Sequence, residues 1–428
     1  IPTLVTHRRV EGADPTEAFR TTVAALEGSV AVAATQADVP NALFLALRGS
    51  GQALYVGFAE DAFLVASEPY GLVEETSTYL RLDGETPADP GRAAATRGQI
   101  VVVDGDHAGT LDGLTRLAYD GTALPVDDRE RQEAQITTRD IDRGDYPHYL
   151  LKEISEAPDS FRKTLRGKIV EAPVTDEDPT GATRLRVKLG TDTLPEPLVA
   201  GLLAGTIRRV VIIGQGTAAV AGQSLAFALR DAVEDGLIVD AVHATELSGF
   251  GLAEDMSDTL VVAISQSGTT TDTNRTVDLA RERGATVVSI VNRRNSDLVD
   301  KSDGILYTSD GRDVEMSVAS TKAFYAQVAA GYLLALGIAG VVGRESPRTH
   351  ELLTALRELP AAMRSLIKDR EAIAGVAQRH VLNRRYWAVV GNGRNIVAAR
   401  ELRIKLSELC YKAIACDVTE DKKHIDLS

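Results

Sequence analysis

Two runs of consecutive apolar residues constrain the fold of this chain most strongly. They are VVII (210–213) and LVVAIS (260–265), and each leads directly into a Gly-, Ser- or Thr-rich loop and then a helical pattern. Further apolar segments, two strands and a long helix, follow at 286–292, 305–309 and 318–338. Strands that are apolar throughout are typical of parallel sheets with both faces covered. The region from Arg208 onward is therefore predicted to be an α/β domain with a parallel sheet.

The first 125 residues show a different pattern, in which short apolar runs alternate with turn signals. The runs lie at 29–35, 42–49, 53–58, 62–67 and 100–106. This pattern predicts an antiparallel, strand-rich region with one early helix from Pro15 to Leu26. The highly charged segment 127–147 has no apolar face and is interpreted as a linker. Apolar residues at helical spacing then predict a helix over 148–165.

The C-terminal part of the chain repeats a pattern first seen at 210–217, in which a strand is followed by Gly-x-Gly and then a helix. A helical region follows Pro347, and the strand YWAVVGNG (386–393) leads into a helix from Ile396 to Cys410. This repeat predicts that a second, duplicated α/β domain begins near residue 385. Because the chain starts at Ile1 and stops within an apparent motif, we expect it to be a piece of a longer protein.

Length, charge and cysteine content limit the possible functions. The 428 residues fit two or three domains. The net charge of −14, without a long basic run, argues against a nucleic-acid partner. Any anionic ligand must then be held by local dipoles. Two cysteines, Cys410 and Cys416, make neither a disulfide framework nor a metal site, which favours a reducing cytoplasm.

No apolar run is long and uninterrupted enough for a membrane span. The longest candidate, Ala326 to Val342, is rich in Ala and Gly, lacks flanking basic residues and is interpreted as a buried helix. No signal peptide is recognised. The prediction is thus a protein without a membrane partner, and no metal or cofactor is predicted.

The loop after the second apolar run is the clearest candidate site. Ser265 ends the strand, and residues 266–273, QSGTTTDT, are nearly all hydroxyl, glycine or amide. A helix that begins at the carboxyl edge of a parallel sheet offers backbone N–H groups and its positive dipole end to phosphate oxygens. The absence of lysine excludes a nucleotide P-loop. The pattern predicts a phosphate-binding loop, although a capped helix start has a similar composition.

Three segments resemble those of one enzyme family. They are AISQSGTTTDT (263–273), SVASTKAF (317–324) and LLKEISEAPDSFRKTLRGKI (150–169). They are similar to the isomerising glutamine–fructose-6-phosphate aminotransferases, which make glucosamine 6-phosphate for amino sugar biosynthesis. The resemblance extends over most of the chain and is strongest from 146 to 340. It implies a SIS-type, flavodoxin-like α/β fold, a parallel sheet flanked by helices, preceded by a partial Ntn-type glutaminase-like α+β region.

The resemblance implies a substrate-binding role for several residues. It assigns the phosphate site to Ser265, Gln266, Ser267 and Thr270, and the sugar contacts to Thr217, Val318 and Ser320. Taken alone, the segment around Val318 and Ser320 also has the composition of a capped, buried helix start. The chain departs from the family pattern at Gln215, Ala218 and Thr269.

Glu401, Lys405 and Glu408 form a second candidate group, because their spacing places them on one helix face. The spacing alone favours an exposed, salt-bridged helix. The segment ELRIKLSELCY (401–411) resembles a catalytic helix of the same family. The resemblance implies that Glu408 moves a proton between carbons 1 and 2 of the open-chain sugar and that Lys405 neutralises charge beside it. A carboxylate suits this chemistry when its pKa is tuned by burial.

His424 aligns with the ring-opening histidine of the family, and an imidazole is able to shuttle the required proton. The residues after it, Ile425 and Asp426, differ from the family pattern. The Schiff-base lysine of the family lies beyond the end of this chain. Ile1 is not the N-terminal cysteine that glutamine hydrolysis requires, so this chain as it stands is expected not to hydrolyse glutamine.

The resulting prediction is a cytoplasmic transferase that takes fructose 6-phosphate and glutamine or ammonia and, by resemblance, forms a homodimer. Its expected domains are a partial glutaminase-like domain (1–126), a linker (127–147), a first SIS domain (148–345) and the start of a second (346–428). Two alternatives stay open. The altered residues at 215, 218 and 269 permit a plain sugar-phosphate isomerase, and the altered surroundings of His424 permit a non-catalytic, sugar-phosphate-binding SIS regulator.

Overall fold

The computed structural model describes residues 1–49, 53–85, 87–173, 183–233, 236–344 and 348–426. The chain divides into two compact units, Ile1–Asp142 and Arg143–Ser428. The predicted domain boundary between residues 345 and 346 lies outside the described residues.

The first unit combines short helices with two antiparallel sheets. Its helices are α1 (Pro2–Val10), α2 (Pro15–Ala24), α3 (Ala93–Thr96) and α4 (Thr138–Ile141), and its strands are β1 (Val30–Gln36), β2 (Val39–Arg48), β3 (Leu54–Phe58), β4 (Phe63–Ala66), β5 (Thr78–Leu82), β6 (Gln99–Asp104), β7 (Leu114–Ala118) and β8 (Arg131–Glu133). The sheets have the orders β1-β2-β6-β7 and β4-β3-β5-β8. The antiparallel, strand-rich prediction is thus confirmed, but two helices precede β1 where one was predicted, because α1 was missed.

Alternation along β2 explains how the first unit is layered. Phe44 and Ala46 pack in one cluster with Phe19 of α2, whereas Leu45 and Leu47 pack against residues of the second sheet. Successive side chains of a strand point to opposite faces, so one strand contributes to two core layers. Part of the segment predicted as a linker belongs to this unit, because β8 pairs with β5.

The second unit is the α/β part of the chain. Its helices are α5 (Tyr149–Leu165), α6 (Glu196–Leu203), α7 (Thr217–Val233), α8 (Ala244–Glu246), α9 (Thr271–Arg281), α10 (Asp297–Asp300), α11 (Lys322–Val341), α12 (Arg348–Lys368), α13 (Arg370–His380), α14 (Asn395–Cys410) and α15 (Thr419–Asp426), and its strands are β9 (Ile169–Pro173), β10 (Thr183–Val187), β11 (Arg209–Gly214), β12 (Ile238–His243), β13 (Thr259–Ser265), β14 (Thr286–Val291), β15 (Gly304–Tyr307), β16 (Trp387–Val390) and β17 (Ile414–Asp417).

A parallel five-stranded sheet, β12-β11-β13-β14-β15, forms the core of the second unit. Helices α7 and α11 cover one face, where Leu229 and Leu334 pack against Ile212. The other face is covered by α9 and its neighbours, with Val277 against Val261. Burial on both faces explains why these strands are apolar throughout. The predicted α/β fold class is confirmed.

The strand order places a topological switch point between β11 and β13. The chain leaves β11 through α7 to reach β12 on one side, whereas β13 pairs with β11 on the other side. Ligands of open α/β sheets bind at the carboxyl ends of strands where the order reverses in this way. The loops after β11 and β13, at 215–216 and 266–270, therefore begin in a position suited to a ligand.

Helix α11 is the apolar helix predicted from the sequence. By length and composition it is apolar enough to cross a membrane, yet 67% of its most apolar stretch is buried inside the unit, as in the core helix of a soluble fold. Beyond it, β16 and β17 pair in parallel, and α14 contacts α7 through a cluster that includes Val220, Phe324 and Val397.

Candidate functional site

The loop that follows β13 is held by hydrogen bonds between its own hydroxyl groups. The Ser265 Oγ accepts the Gly268 N–H at 3.0 Å and lies 3.2 Å from the Thr270 Oγ1. The Ser267 Oγ accepts from the Thr269 N–H at 3.2 Å and from the Thr269 hydroxyl at 2.9 Å. These hydrogen bonds give the loop a defined shape.

Thr270 is the N-cap residue of α9, but its side chain makes no capping hydrogen bond. A hydroxyl whose role was only to cap the helix would accept an N–H group of the first helical turn. The Thr270 hydroxyl instead faces Ser265. The Thr270 side chain therefore does not cap the N-terminus of α9. The N-terminus of a helix is the positive end of its dipole and favours an anion.

Backbone geometry explains the glycine inside this loop. Gly268 has φ +69°, a conformation that side chains other than glycine rarely adopt, and a Cβ there would lie 2.0 Å from the Ser296 Oγ. The Gly268 carbonyl accepts from the Leu298 N–H at 3.0 Å and from the Asn274 amide at 3.1 Å. These contacts tie the loop to the segment after β14.

The structure brings Thr217 and the α14 group together. The Thr217 hydroxyl, at the start of α7, donates a 3.0 Å hydrogen bond to the Glu401 Oε1. The Lys405 Nζ lies 3.6 Å from the same oxygen and 2.9 Å from the Glu408 Oε2. The face is therefore salt-bridged, as the spacing alone allowed, but only part of it is exposed: Glu401 is 6% exposed, whereas Glu408 is exposed.

Burial raises the pKa of the Glu401 carboxyl, although the Lys405 charge and the Thr217 hydrogen bond act in the opposite direction. Its second oxygen, Oε2, is buried without a hydrogen-bond partner in the structure. Glu408 is exposed and keeps its contact with Lys405, so the burial expected to tune the proton-transferring carboxyl is found at Glu401 and not at Glu408. The group thus offers one buried carboxyl, one lysine and one accessible carboxylate on the same helix.

Val318 and Ser320 lie in the segment between β15 and α11. Val318 is 98% exposed. The Ser320 hydroxyl donates to the Glu315 Oε2 at 2.8 Å. Because β15 is parallel to β11 and β13, this segment leaves the sheet at the same edge as the loops after those strands.

His424 lies on α15 and is exposed, with its Nε2 4.0 Å from a Glu420 oxygen. In the described part of the chain it makes no hydrogen bond or ion pair with Thr217, Glu401, Lys405 or Glu408. The structure therefore does not bring His424 together with the α14 group in one chain.

Two acidic residues of this region received no role from the sequence. Glu153 and Glu315 accept hydrogen bonds from the backbone around Val318 and Ser320. Glu153 lies in the segment 150–169, which resembles the family, and this could have drawn attention to it. Acidic residues are mostly exposed, however, so the sequence gives little sign that these two are buried.

Within the described ranges, no group of three or more His, Cys, Asp or Glu is arranged to hold a metal ion.

Residues 206–337, which include the loops at 215–216 and 266–270, match the SIS domain family. The C-terminal domain of glucosamine-fructose-6-phosphate aminotransferase from Francisella tularensis superposes on 67% of this chain and 74% of its own length, with a TM-score of 0.56 and 24% identity, which confirms the SIS-type fold.

The chain is also similar in sequence to isomerizing glutamine–fructose-6-phosphate aminotransferases. It is 29% identical to that of Leifsonia xyli over 398 residues, 92% of this chain and 57% of the relative. It is 30% identical to that of Pyrobaculum aerophilum over 430 residues, 98% of this chain and 61% of the relative. The predicted resemblance is confirmed, and the chain spans about three-fifths of the length of these relatives.

Proposed function

We propose that this chain is part of an isomerising hexosephosphate aminotransferase, which converts fructose 6-phosphate to glucosamine 6-phosphate with nitrogen from glutamine or ammonia. One observation carries the proposal. The Thr217 hydroxyl, which follows β11, donates a hydrogen bond to Glu401 on α14, and Lys405 lies beside that carboxyl group. The hydroxyl-rich loop 265–273 follows the neighbouring strand β13. The names of the similar proteins support the same reaction.

The loop supplies the kind of phosphate site that this chain needs. The net charge of the whole chain, −14, repels an anion at long range, so hydrogen-bond donors close to the ligand must hold it. In the proposal the phosphate is held by Ser265, Gln266, Ser267 and Thr270 together with the N-terminus of α9. Thr217, Val318 and Ser320 contact the sugar.

Glu408 carries the proposed proton transfer between carbons 1 and 2 of the open-chain sugar. The Lys405 Nζ at 2.9 Å holds its carboxylate in place and stabilises negative charge that develops on the neighbouring sugar oxygen. His424 is proposed to open the sugar ring. No cofactor is required for a proton transfer of this kind.

Assembly and location belong to the same proposal. We infer a cytoplasmic homodimer, as the family resemblance implies. An exposed His424 without contact to the α14 group supports a dimer in which the histidine of one protomer serves the other. Light scattering after size-exclusion chromatography tests the dimer, and a monomer at micromolar concentration would contradict it.

The reaction is tested by incubating the full-length protein with fructose 6-phosphate and glutamine, and assaying glucosamine 6-phosphate. We expect product, and a loss of about 100-fold or more for Glu408→Gln, because the proton carrier is removed. Glu371→Gln, on the exposed side of α13, is the matched control and should retain activity. Intact sugar-phosphate binding without any product would overturn the transferase assignment.

A further inference from the structure

The C-terminal part of the segment between β15 and α11 is folded around the carboxyl group of Glu315. The Glu315 Oε1 accepts the backbone N–H groups of Thr321 at 2.9 Å and Ala323 at 3.0 Å. Its Oε2 accepts the Ser320 hydroxyl at 2.8 Å. Thr321, the N-cap residue of α11, makes no side-chain capping bond of its own, so Glu315 caps this helix from outside.

A second carboxyl group holds the same segment from α5. The Glu153 Oε1 accepts the N–H groups of Met316 at 2.6 Å and Ser317 at 3.1 Å. Glu153 is 1% exposed, and its Oε2 is buried without a hydrogen-bond partner. Four backbone N–H groups and one hydroxyl within residues 316–323 are thus directed at two carboxyl groups.

These carboxyl groups differ from their charged neighbours. The nearby Glu156 pairs with Lys152 at 2.6 Å and with the buried Lys322 at 2.7 Å. Within the described residues, Glu153 and Glu315 have no lysine or arginine in an ion pair. Burial raises the pKa of the Glu315 carboxyl and the charge of Glu153 raises it further, against the donors that lower it.

Burying one carboxyl group beside another costs stability, and in this segment the two carboxyl groups hold the backbone in a defined shape. That shape is a turn whose tip, Val318, points to solvent, closed by a 2.9 Å hydrogen bond from the Ser317 hydroxyl to the Ala319 carbonyl. The chain reaches this turn from the carboxyl end of β15, which lies at the same sheet edge as the carboxyl end of β13.

We propose that Glu315, assisted by Glu153, is a positioning residue that holds the turn 315–323 in the conformation in which Ser320 and Val318 contact the sugar. The inference rests on the proposed function, because it assumes that the sugar of a bound hexose phosphate reaches this turn. In this proposal the loop 265–273 binds the phosphate group. The turn 315–323 contacts the sugar and so makes the chain bind a sugar phosphate more tightly than free phosphate.

Two substitutions separate shape from charge. Glu315→Gln loses the charge but keeps a carbonyl oxygen for both N–H groups and an amide that donates to the Ser320 hydroxyl. Glu315→Asp keeps the charge but is one methylene too short to reach all three donors. Glu171→Gln, an exposed carboxylate paired with Arg357, is the matched control.

Calorimetry with fructose 6-phosphate and phosphorus NMR with inorganic phosphate test the inference on the whole chain. For Glu315→Asp we expect about tenfold weaker binding of fructose 6-phosphate and unchanged binding of phosphate, whereas Glu315→Gln and Glu171→Gln bind both as the wild type does. The inference is overturned if Glu315→Asp binds the sugar phosphate normally, if it loses both ligands equally, or if Glu315→Gln is impaired as well.

Failure of the proposed function gives a different result. A wild-type chain that binds phosphate but not fructose 6-phosphate overturns both the substrate assignment and this inference. The contradicting results for Glu315→Asp and Glu315→Gln overturn only the inference, because the wild type still binds fructose 6-phosphate. If Glu315→Asp does not fold, Glu153→Asp and Glu153→Gln make the same comparison, because the Gln retains an acceptor for the Met316 and Ser317 N–H groups.

Discussion

Glu401 shows how one residue combines structural and chemical roles. Its Oε1 accepts from the Thr217 hydroxyl at 3.0 Å and lies 3.6 Å from the Lys405 Nζ, while its Oε2 has no partner. A buried carboxyl group with one unpartnered oxygen is held in its protonated form more easily than an exposed one. The residue therefore makes the stability of the second unit depend on pH.

The substitution Glu401→Gln tests this dependence. Burial raises the folded-state pKa of Glu401 above its ordinary value of 4.5, so the folded chain binds more protons than the unfolded chain above that pH. The Glu401 contribution to the free energy of unfolding is consequently largest at low pH and falls as the pH rises from 4.5. We expect urea denaturation to show this fall in the wild type relative to Glu401→Gln. A pH-independent difference would contradict the assignment.

At the scale of elements, the sequence predicted β11, β13, α9 and α11, because their apolar patterns follow from burial inside one sheet and its helices. It did not predict β12, whose edge position leaves Ile238 58% exposed and so removes the apolar signal. Strand β17 was missed because four residues acquire their structure only by pairing with β16. The Thr217–Glu401 hydrogen bond joins positions 184 residues apart, which no local pattern encodes.

The conformation of the phosphate loop can be tested at Gly268. Gly268→Ala places a side chain at positive φ and against the Ser296 Oγ. Gly205→Ala is the matched control, because Gly205 has a similar φ of +67° but open space around it. We expect Gly205→Ala to cost about 1–2 kcal/mol, and Gly268→Ala to cost about 1–3 kcal/mol more by urea denaturation. Equal costs would contradict the tight packing of the loop.

The contact between α7 and α14 can be tested at Thr217. Thr217→Val keeps the shape of the side chain but removes the donor to the buried Glu401 carboxyl. We expect a loss of about 1–3 kcal/mol in the free energy of unfolding, because a buried acceptor loses its partner. Thr217→Ser retains the hydroxyl and should lose less than half as much. A Thr217→Val protein as stable as the wild type would show that the hydrogen bond does not join the two helices.

At the scale of the whole molecule, an acidic chain presents a local site for an anion. The second unit does this by ending parallel strands of one sheet at the same edge. The segments that follow β11, β13 and β15 leave the sheet there, and they contain residues 215–217, 266–273 and 315–321. Glycine and hydroxyl content predicted the second of these segments, and the family resemblance assigned sugar contacts in the first and the third. The carboxyl groups that shape the third were not predicted, because burial of Glu153 and Glu315 depends on the packing of α5 against α11.

The central claim is that the loop 265–273 binds the phosphate of a hexose phosphate. Calorimetric titration of the chain with fructose 6-phosphate tests it most directly when the wild type is compared with Ser267→Ala and Thr270→Ala. Ser302→Ala, whose hydroxyl donates to the Leu298 carbonyl outside the loop, is the control. We expect each loop substitution to weaken binding about tenfold, because it removes a hydrogen bond to a charged group, and the control to bind as the wild type does. Unchanged affinity in both loop variants would contradict the claim.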